Sequence, residues 1–240
     1  MKKIKWNDVR LVLMLGAVIF LFSFSSKRNE SRMLKKVDIK FADTEAFITR
    51  DKVNKLLIQN YGSVTGIRKD RLDLNSVEKS LDTDPMIDKA EVFATVDGRL
   101  EAVVSQRKPI ARIYKGGNSY YIDYKGRVMP LSDNYTARVP LVTGEIDSAE
   151  QDKLHMLLRY ISDDDFLKKN IIGIEVYPTG GLRMLSRNYD FDIVFGRPIN
   201  IEKKFNNYKA FLQDAVRDTL IENYKTINLK FTQQVVCTKK

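Results

Sequence analysis

Fourteen uncharged, mostly apolar residues, 11–24 (LVLMLGAVIFLFSF), stand out from an otherwise mixed chain. A membrane-spanning helix needs about 20 such residues. The run approaches that length if Ser25 and Ser26 join it and Arg10 and Lys27 carry their charges out to the two interfaces. Residues 11–26 are therefore predicted to form one transmembrane helix, with 1–10 as a short tail and Trp6 as an interfacial anchor. A cleaved signal peptide competes with this reading. It would need a small-residue cleavage site, and Phe22-Ser23-Phe24-Ser25-Ser26 stands there instead.

After the anchor the pattern changes to short periodic runs. Val37, Ile39 and Phe41 alternate with charged residues, as in a half-buried strand. Thr49 can cap a helix that carries Val53, Leu56 and Leu57 on one face. Gly62 and Gly66 break that pattern. Asn75-Ser76-Val77-Glu78 has the form of a capping box for a second helix, which Pro85 stops. Runs 90–96 and 100–104 alternate again, and Asp97-Gly98 between them is a hairpin signal. Residues 34–109 are thus predicted to be a small β-α-α-β-β domain.

Residues 110–238 have a different texture. Runs 110–114, 120–124 and 127–131 are short strand candidates separated by Gly116-Gly117-Asn118 and Lys125-Gly126. Ser148-Ala149-Glu150-Gln151 is a further capping box, ahead of Leu154, Leu157, Leu158 and Ile161 on one helical face. Strands are predicted at 172–177, 182–186 and 191–195. A long amphipathic helix follows over 201–223, striped by Ile201, Phe205, Tyr208, Phe211, Leu212, Ala215, Val216 and Leu220. A closing strand is predicted over 226–236, with Ile227, Leu229 and Phe231 facing inward. The second domain reads as mainly antiparallel β with two covering helices, and the whole chain as α+β.

Charge alters the picture once it is located. Residues 1–36 carry nine positive and two negative charges, a net of +7 out of +10 for the chain. The excess flanks the apolar run rather than covering a folded surface, so no nucleic-acid partner is expected. Lys2, Lys3, Lys5 and Arg10 favour a cytoplasmic N-terminus, which Lys27, Arg28, Arg32, Lys35 and Lys36 oppose from the other side.

Catalytic and metal chemistry is hard to assemble. One Cys excludes an internal disulfide or a Cys-rich zinc site, and one His leaves little for histidine-based metal binding. Gly62 to Gly66 lacks the Lys-Ser/Thr of a phosphate loop, and the three aspartates 163–165 lack the spacing and glycine of a calcium loop. No catalytic residue, cofactor or metal is expected. The remaining enzymatic reading is an anchored cell-wall enzyme of sortase type, with Cys237 as nucleophile and His155 as its base.

The order of elements and a series of short motifs resemble the bacterial cell-division family FtsQ/DivIB. Residues 34–106 resemble a POTRA domain. Asp84-Pro85-Met86-Ile87-Asp88-Lys89-Ala90-Glu91-Val92 followed by Gln106-Arg107-Lys108-Pro109-Ile110-Ala111 is similar to the family's P-x-V-x-x-A-x-V and E-R-x-P-x-A. Tyr121-Ile122-Asp123-Tyr124-Lys125-Gly126-Arg127-Val128, Leu141-Val142-Thr143-Gly144 and Ile227-Asn228-Leu229-Lys230-Phe231 match later motifs. Gln106, Asn228, Lys230 and Phe231 depart from the family's Glu, Asp, Arg and Tyr. The resemblance implies a non-enzymatic bitopic scaffold of the division machinery in the cytoplasmic membrane. Its C-terminal domains would lie outside the cytoplasm, bind FtsB-like and FtsL-like coiled-coil partners, and help regulate septal wall synthesis. Residues 11–26 would contact membrane lipid. From the residues themselves, the partner is expected to dock by strand addition along a final edge strand: Phe231, Thr232, Gln233, Gln234, Val235, Val236 and Cys237.

Overall fold

The computed structural model describes residues 6–59, 65–147, 150–218 and 220–240. The chain divides into two units, Met1–Gln106 and Arg107–Lys240.

The first unit opens with helix α1, Trp6–Glu30, whose stretch Val9–Glu30 is long and apolar enough to cross a membrane and is not buried by protein. It outruns the predicted 11–26 at both ends. Lys27 and Arg28 favour its last turn by countering the helix dipole, and Ser31 donates its hydroxyl to the Arg28 carbonyl at 3.1 Å. Strand β1 (Lys36–Phe41) follows, then α2 (Arg50–Gln59), a 3-10 turn (Lys69–Arg71), α3 (Leu74–Asp82), β2 (Ile87–Ala94) and β3 (Arg99–Gln106). The sheet order is β1-β3-β2. β1 and β3 run parallel, so a crossover must join them, and α2 and α3 lie on that connection. Leu100, Ala102 and Val104 of β3 are fully buried, with Val53 and Leu57 of α2 and Val77 and Leu81 of α3 also in the core.

Thr49 caps α2 as predicted, accepting from the Lys52 N–H at 3.2 Å. The capping box at Asn75–Glu78 is not used. α3 begins two residues earlier than that box requires, and Asp73 is the cap, accepting from the Ser76 N–H. Glu78 is thereby released from capping and accepts the Val92 N–H of β2 at 2.7 Å. Asp82, one turn on, takes the Ala90 N–H at 2.9 Å. The break read at 62–66 falls largely outside the described residues, as does Ser148-Ala149 of the later capping box.

The second unit contains β4 (Pro109–Lys115), β5 (Asn118–Asp123), β6 (Val128–Met129), β7 (Leu141–Gly144), α4 (Gln151–Asp163) and α5 (Asp165–Asn170). It continues with β8 (Ile171–Val176), β9 (Leu182–Ser186), β10 (Asp192–Gly196), α6 (Ile201–Arg217), β11 (Tyr224–Asn228) and β12 (Val236–Lys239). They form one nine-stranded sheet, β12-β11-β10-β9-β8-β7-β4-β5-β6. It is more mixed than predicted: β4–β7, β7–β8 and β10–β11 are parallel. Leu141–Gly144, recognised in sequence as a motif rather than a strand, pairs in parallel on both sides and joins β4-β5-β6 to the strands from β8 to β12.

Three helices cover this unit rather than two. Asp164 opens α5, accepting from the Phe166 and Leu167 N–H groups at 3.1 and 2.9 Å. The 201–223 helix ends at Arg217, and a 3-10 turn, Ile221–Asn223, leads into β11. Phe205, Tyr208, Leu212 and Ala215 of the predicted stripe are buried, whereas Val216 and Leu220 are exposed.

The hairpin motif at 121–128 has a specific physical basis. The buried Asp123 carboxylate accepts from the Lys125 N–H (2.9 Å), the Arg127 N–H (2.8 Å) and the Arg127 guanidinium (2.7 Å). Gly126 between them has φ 82°, a conformation that a side chain disfavours. Asp123→Ala orphans these donors and should cost about 2–3 kcal/mol. The expected result is a lower thermal midpoint of the full chain and faster amide exchange at Lys125 and Arg127.

A second prediction concerns acid. Burial alone would raise the Asp164 carboxyl, but the Lys209 ammonium and the two capped N–H groups outweigh it and hold the group below its ordinary value. A carboxylate lowered on folding stabilises above its ordinary range, and the contribution is lost as pH falls through the folded value. Amide protection over α5 should therefore weaken below about pH 4, the ordinary carboxylate range. Asp164→Asn should have lower protection at neutral pH and lose that acid step.

Candidate partner-binding site: the terminal hairpin

The chain closes with a hairpin rather than one long strand. β11 lies between β10, to which it is parallel, and β12, to which it is antiparallel. The predicted strand over 226–236 is therefore corrected, as is the single docking strand Phe231–Cys237. β10 ends at Gly196, which by register lies opposite Lys230, so a strand continuing past that point would have no partner on that side. The Leu229 N–H makes its bond to Val194 O at 2.9 Å. The Asn228 side chain then accepts the Lys230 N–H at 3.0 Å, a local turn bond typical of asparagine.

The seven predicted residues divide accordingly. Phe231 to Val235 lie in the connection, while Val236 and Cys237 begin β12. Phe231, placed among the inward residues by its alternation, is 51% exposed, whereas Ile227 and Leu229 are fully buried. The Thr232 carbonyl accepts from the Asn207 side chain at 3.1 Å. Val235 and Cys237 pack against the core, and Val236 faces outward. Thr238 and Lys239 complete the edge strand and lay outside the predicted set. The signal for them was Asn228, whose turn propensity marks the break between two strands.

β12 pairs with β11 on one side, and the other side is the end of the sheet. The Lys240 N–H bonds Asn223 O at 2.9 Å, pointing toward β11. Strand alternation then turns the Lys239 and Cys237 N–H groups to the open side. The remaining sheet edges are less available. Two outward donors of β2, the Ala90 and Val92 N–H groups, are held by Asp82 and Glu78, β1 carries Lys36, Asp38 and Lys40, and β6 is two residues long.

The thiol-imidazole pair of the enzymatic alternative is not assembled. Cys237 is on β12, while His155 lies against Gly126, where an added Cβ would sit 3.4 Å from its ring. Gly126 follows β5, seven strand positions from β12, a separation of roughly 30 Å. His155 borders a cleft of about 250 Å³ with Lys115, Tyr120, Lys125 and Asp152, whose described lining includes no Ser, Thr or Cys. Burial also raises the Cys237 thiol above its ordinary value, which leaves less thiolate at neutral pH. As the chain's single thiol, Cys237 should alkylate with iodoacetamide at pH 7.5 about tenfold more slowly than a free cysteine. Unfolding should restore the ordinary rate.

The comparisons with known proteins follow these two units. The POTRA-like domain profile matches residues 33–105. The profile described as FtsQ/DivIB, C-terminal related, matches residues 108–238, more than half of the chain. No curated protein sequence matches. Among solved structures, the major extracytoplasmic domain of the trans isomer of the bacterial cell division protein DivIB from Geobacillus stearothermophilus is 14% identical. It covers 47% of this chain and 96% of its own, with a TM-score of 0.32, and a superposition at that level adds nothing to the profile matches. On the strength of those matches, the chain belongs to the FtsQ/DivIB family of bacterial cell-division proteins.

Proposed function

We propose that this protein is a non-enzymatic, single-pass scaffold of the division machinery. Its N-terminal tail is cytoplasmic, α1 crosses the cytoplasmic membrane, and both folded units lie outside the cytoplasm. Its partners are FtsB-like and FtsL-like single-span coiled-coil proteins, through which it helps regulate septal wall synthesis. The family supports the division role, and the observation that carries the docking mode is the open edge of β12. A partner segment in extended conformation would pair with the outward Cys237 and Lys239 groups as an added strand. Side chains alternating along it would meet exposed Val236 and Thr238 on one face and the Phe231–Val235 connection at the end. The predicted residues thus keep a role, with the strand contacts shifted toward the C-terminus.

Lys239→Pro tests this edge. Proline removes one outward donor and is tolerated on an edge strand when the missing N–H faces away from the sheet. Lys239→Gln controls for the lost charge. In pull-downs from detergent extract, Lys239→Pro should recover about tenfold less of the small coiled-coil partners, with Lys239→Gln near wild type. Equal recovery by a folded Lys239→Pro protein would place the docking surface elsewhere.

A further inference from the structure

The junction between α1 and the first unit is fastened rather than flexible. Lys69 Nζ donates to the Asn29 side chain at 3.0 Å, and the Lys69 N–H to Arg32 O at 3.1 Å. Leu34 exchanges bonds with Ile67 and Gly66 at 2.8 and 2.7 Å, and its side chain is 1% exposed. The tip of the β2–β3 hairpin is tied in as well. The Arg32 guanidinium reaches Val96 O at 2.6 Å, and the Lys35 N–H reaches Gly98 O at 2.7 Å. Gly98 lies so close that an added Cβ would sit 2.8 Å from Met33 O. Three segments therefore meet at one pole: the end of α1, the hairpin tip and the 3-10 turn at Lys69–Arg71.

That pole is amphiphilic. Val96 and Met33 are 67% and 59% exposed. Around them are exposed Lys27, Arg28, Arg32, Lys35, Lys36 and Arg71. Arg68 and Arg99 are balanced locally by Asp70 and Asp97, at 2.7 and 2.8 Å, so the others remain in excess over Glu30. Arg10 and Lys27 bracket about 26 Å of helix, close to the apolar thickness of a bilayer. Headgroup level is therefore reached at Lys27, and the pole begins within one or two turns of it.

We infer that this pole of the POTRA-like unit rests on the membrane that α1 crosses. Met33 and Val96 dip to the headgroup boundary, and Arg28, Arg32, Lys35 and Arg71 hold phosphates of anionic phospholipids. This rests on α1 being a retained anchor and deepens that reading by assigning the orientation of the unit on the bilayer. It also accounts for basic residues that oppose the N-terminus-inside arrangement. Apolar insertion combined with attraction to anionic lipid is the usual physics of interfacial binding.

The test uses the full chain with Cys237→Ser, reconstituted in phosphatidylcholine vesicles with or without about 30% phosphatidylglycerol and with trace nitroxide-headgroup lipid. A fluorophore is placed at Val96→Cys or at Thr44→Cys. Thr44 lies beyond the far end of β1, about 20 Å away by strand rise. Quenching should be about threefold stronger at position 96 than at 44 in the anionic vesicles. It should fall about twofold in neutral lipid or in the Arg28→Gln/Lys35→Gln variant, which keeps the Arg32 bond to Val96. Equal quenching at both positions in protein that floats with the vesicles overturns the resting surface. Strong quenching at 96 that ignores both lipid charge and the variant overturns the phosphate contact. Protein that does not float overturns the anchor and this inference together.

Discussion

A sheet edge carries backbone donors and acceptors that its own strand cannot satisfy, and the way each edge is handled organises this molecule. In the first unit, two carboxylates one turn apart on α3 take the outward Ala90 and Val92 N–H groups of β2. This bonding also fixes the helix against the strand, because Glu78 and Asp82 must face the edge while Val77 and Leu81 face the core. In the second unit β6 is cut to two residues, and the chain beyond it returns so that the Ala137 N–H reaches the buried Tyr121 hydroxyl at 3.2 Å. Among the described residues, no comparable side-chain bond reaches the outward groups of β12. An open edge is where an incoming strand would gain hydrogen bonds at little cost in rearrangement.

The same accounting explains the interior of the second unit. Tyr208 on α6 donates to Asn170 at 2.8 Å, and Asn170 in turn donates to Ser186 of β9 at 3.2 Å. Burial raises the tyrosine hydroxyl far above its ordinary value, so it remains a donor at any physiological pH. Lys204 is a buried cation held by backbone carbonyls. Its ammonium donates to Phe195 O and Arg197 O, both at 2.9 Å, and lies 4.6 Å from the Phe195 ring centroid. Desolvation lowers it, yet it satisfies carbonyls where β10 ends at Gly196. These polar ties hold α6 over the strands that lead to the terminal hairpin.

Much of this was legible in sequence because it depends on local period and turn chemistry. Alternation located β1 and β3 to within two residues at each end but placed β2 about three residues late, the run 182–186 matched β9, and Asp-Gly and Gly-Gly pairs located turns. Elements that depend on partners distant in the chain were not legible. β7 is four residues long, and its strand character comes from parallel pairing on both sides. α3 looked capped at Asn75 because Glu78 stands three residues on, but Asp73 caps the helix and Glu78 bonds the Val92 N–H of β2 instead. The terminal run looked continuous because Ile227, Leu229 and Phe231 alternate. Nothing local indicates that β10, its partner, ends at Gly196.

The departures from the family pattern also have physical consequences. Gln106 stands where the pattern has Glu. Its amide oxygen accepts the Ile48 N–H at 3.0 Å while its nitrogen donates to Glu45 O, and its own N–H goes to Asp43 at 3.0 Å. A carboxylate could accept the first of these bonds but could not donate the second, so the amide ties together both sides of the loop before α2. Asn228 for Asp keeps the acceptor that turns the chain at Lys230 while removing a charge beside the open edge. Lys230 lays its stem against Gly196, where an added Cβ would sit 2.8 Å from Cγ. That contact needs an aliphatic stem and makes no use of a guanidinium. Phe231 loses the hydroxyl of Tyr and stands half exposed beside the connection to β12. At the terminal hairpin, Asn228 and Phe231 make the rim less charged and more apolar than the family pattern would. An arriving strand would therefore be selected by backbone pairing and apolar contact more than by ion pairs.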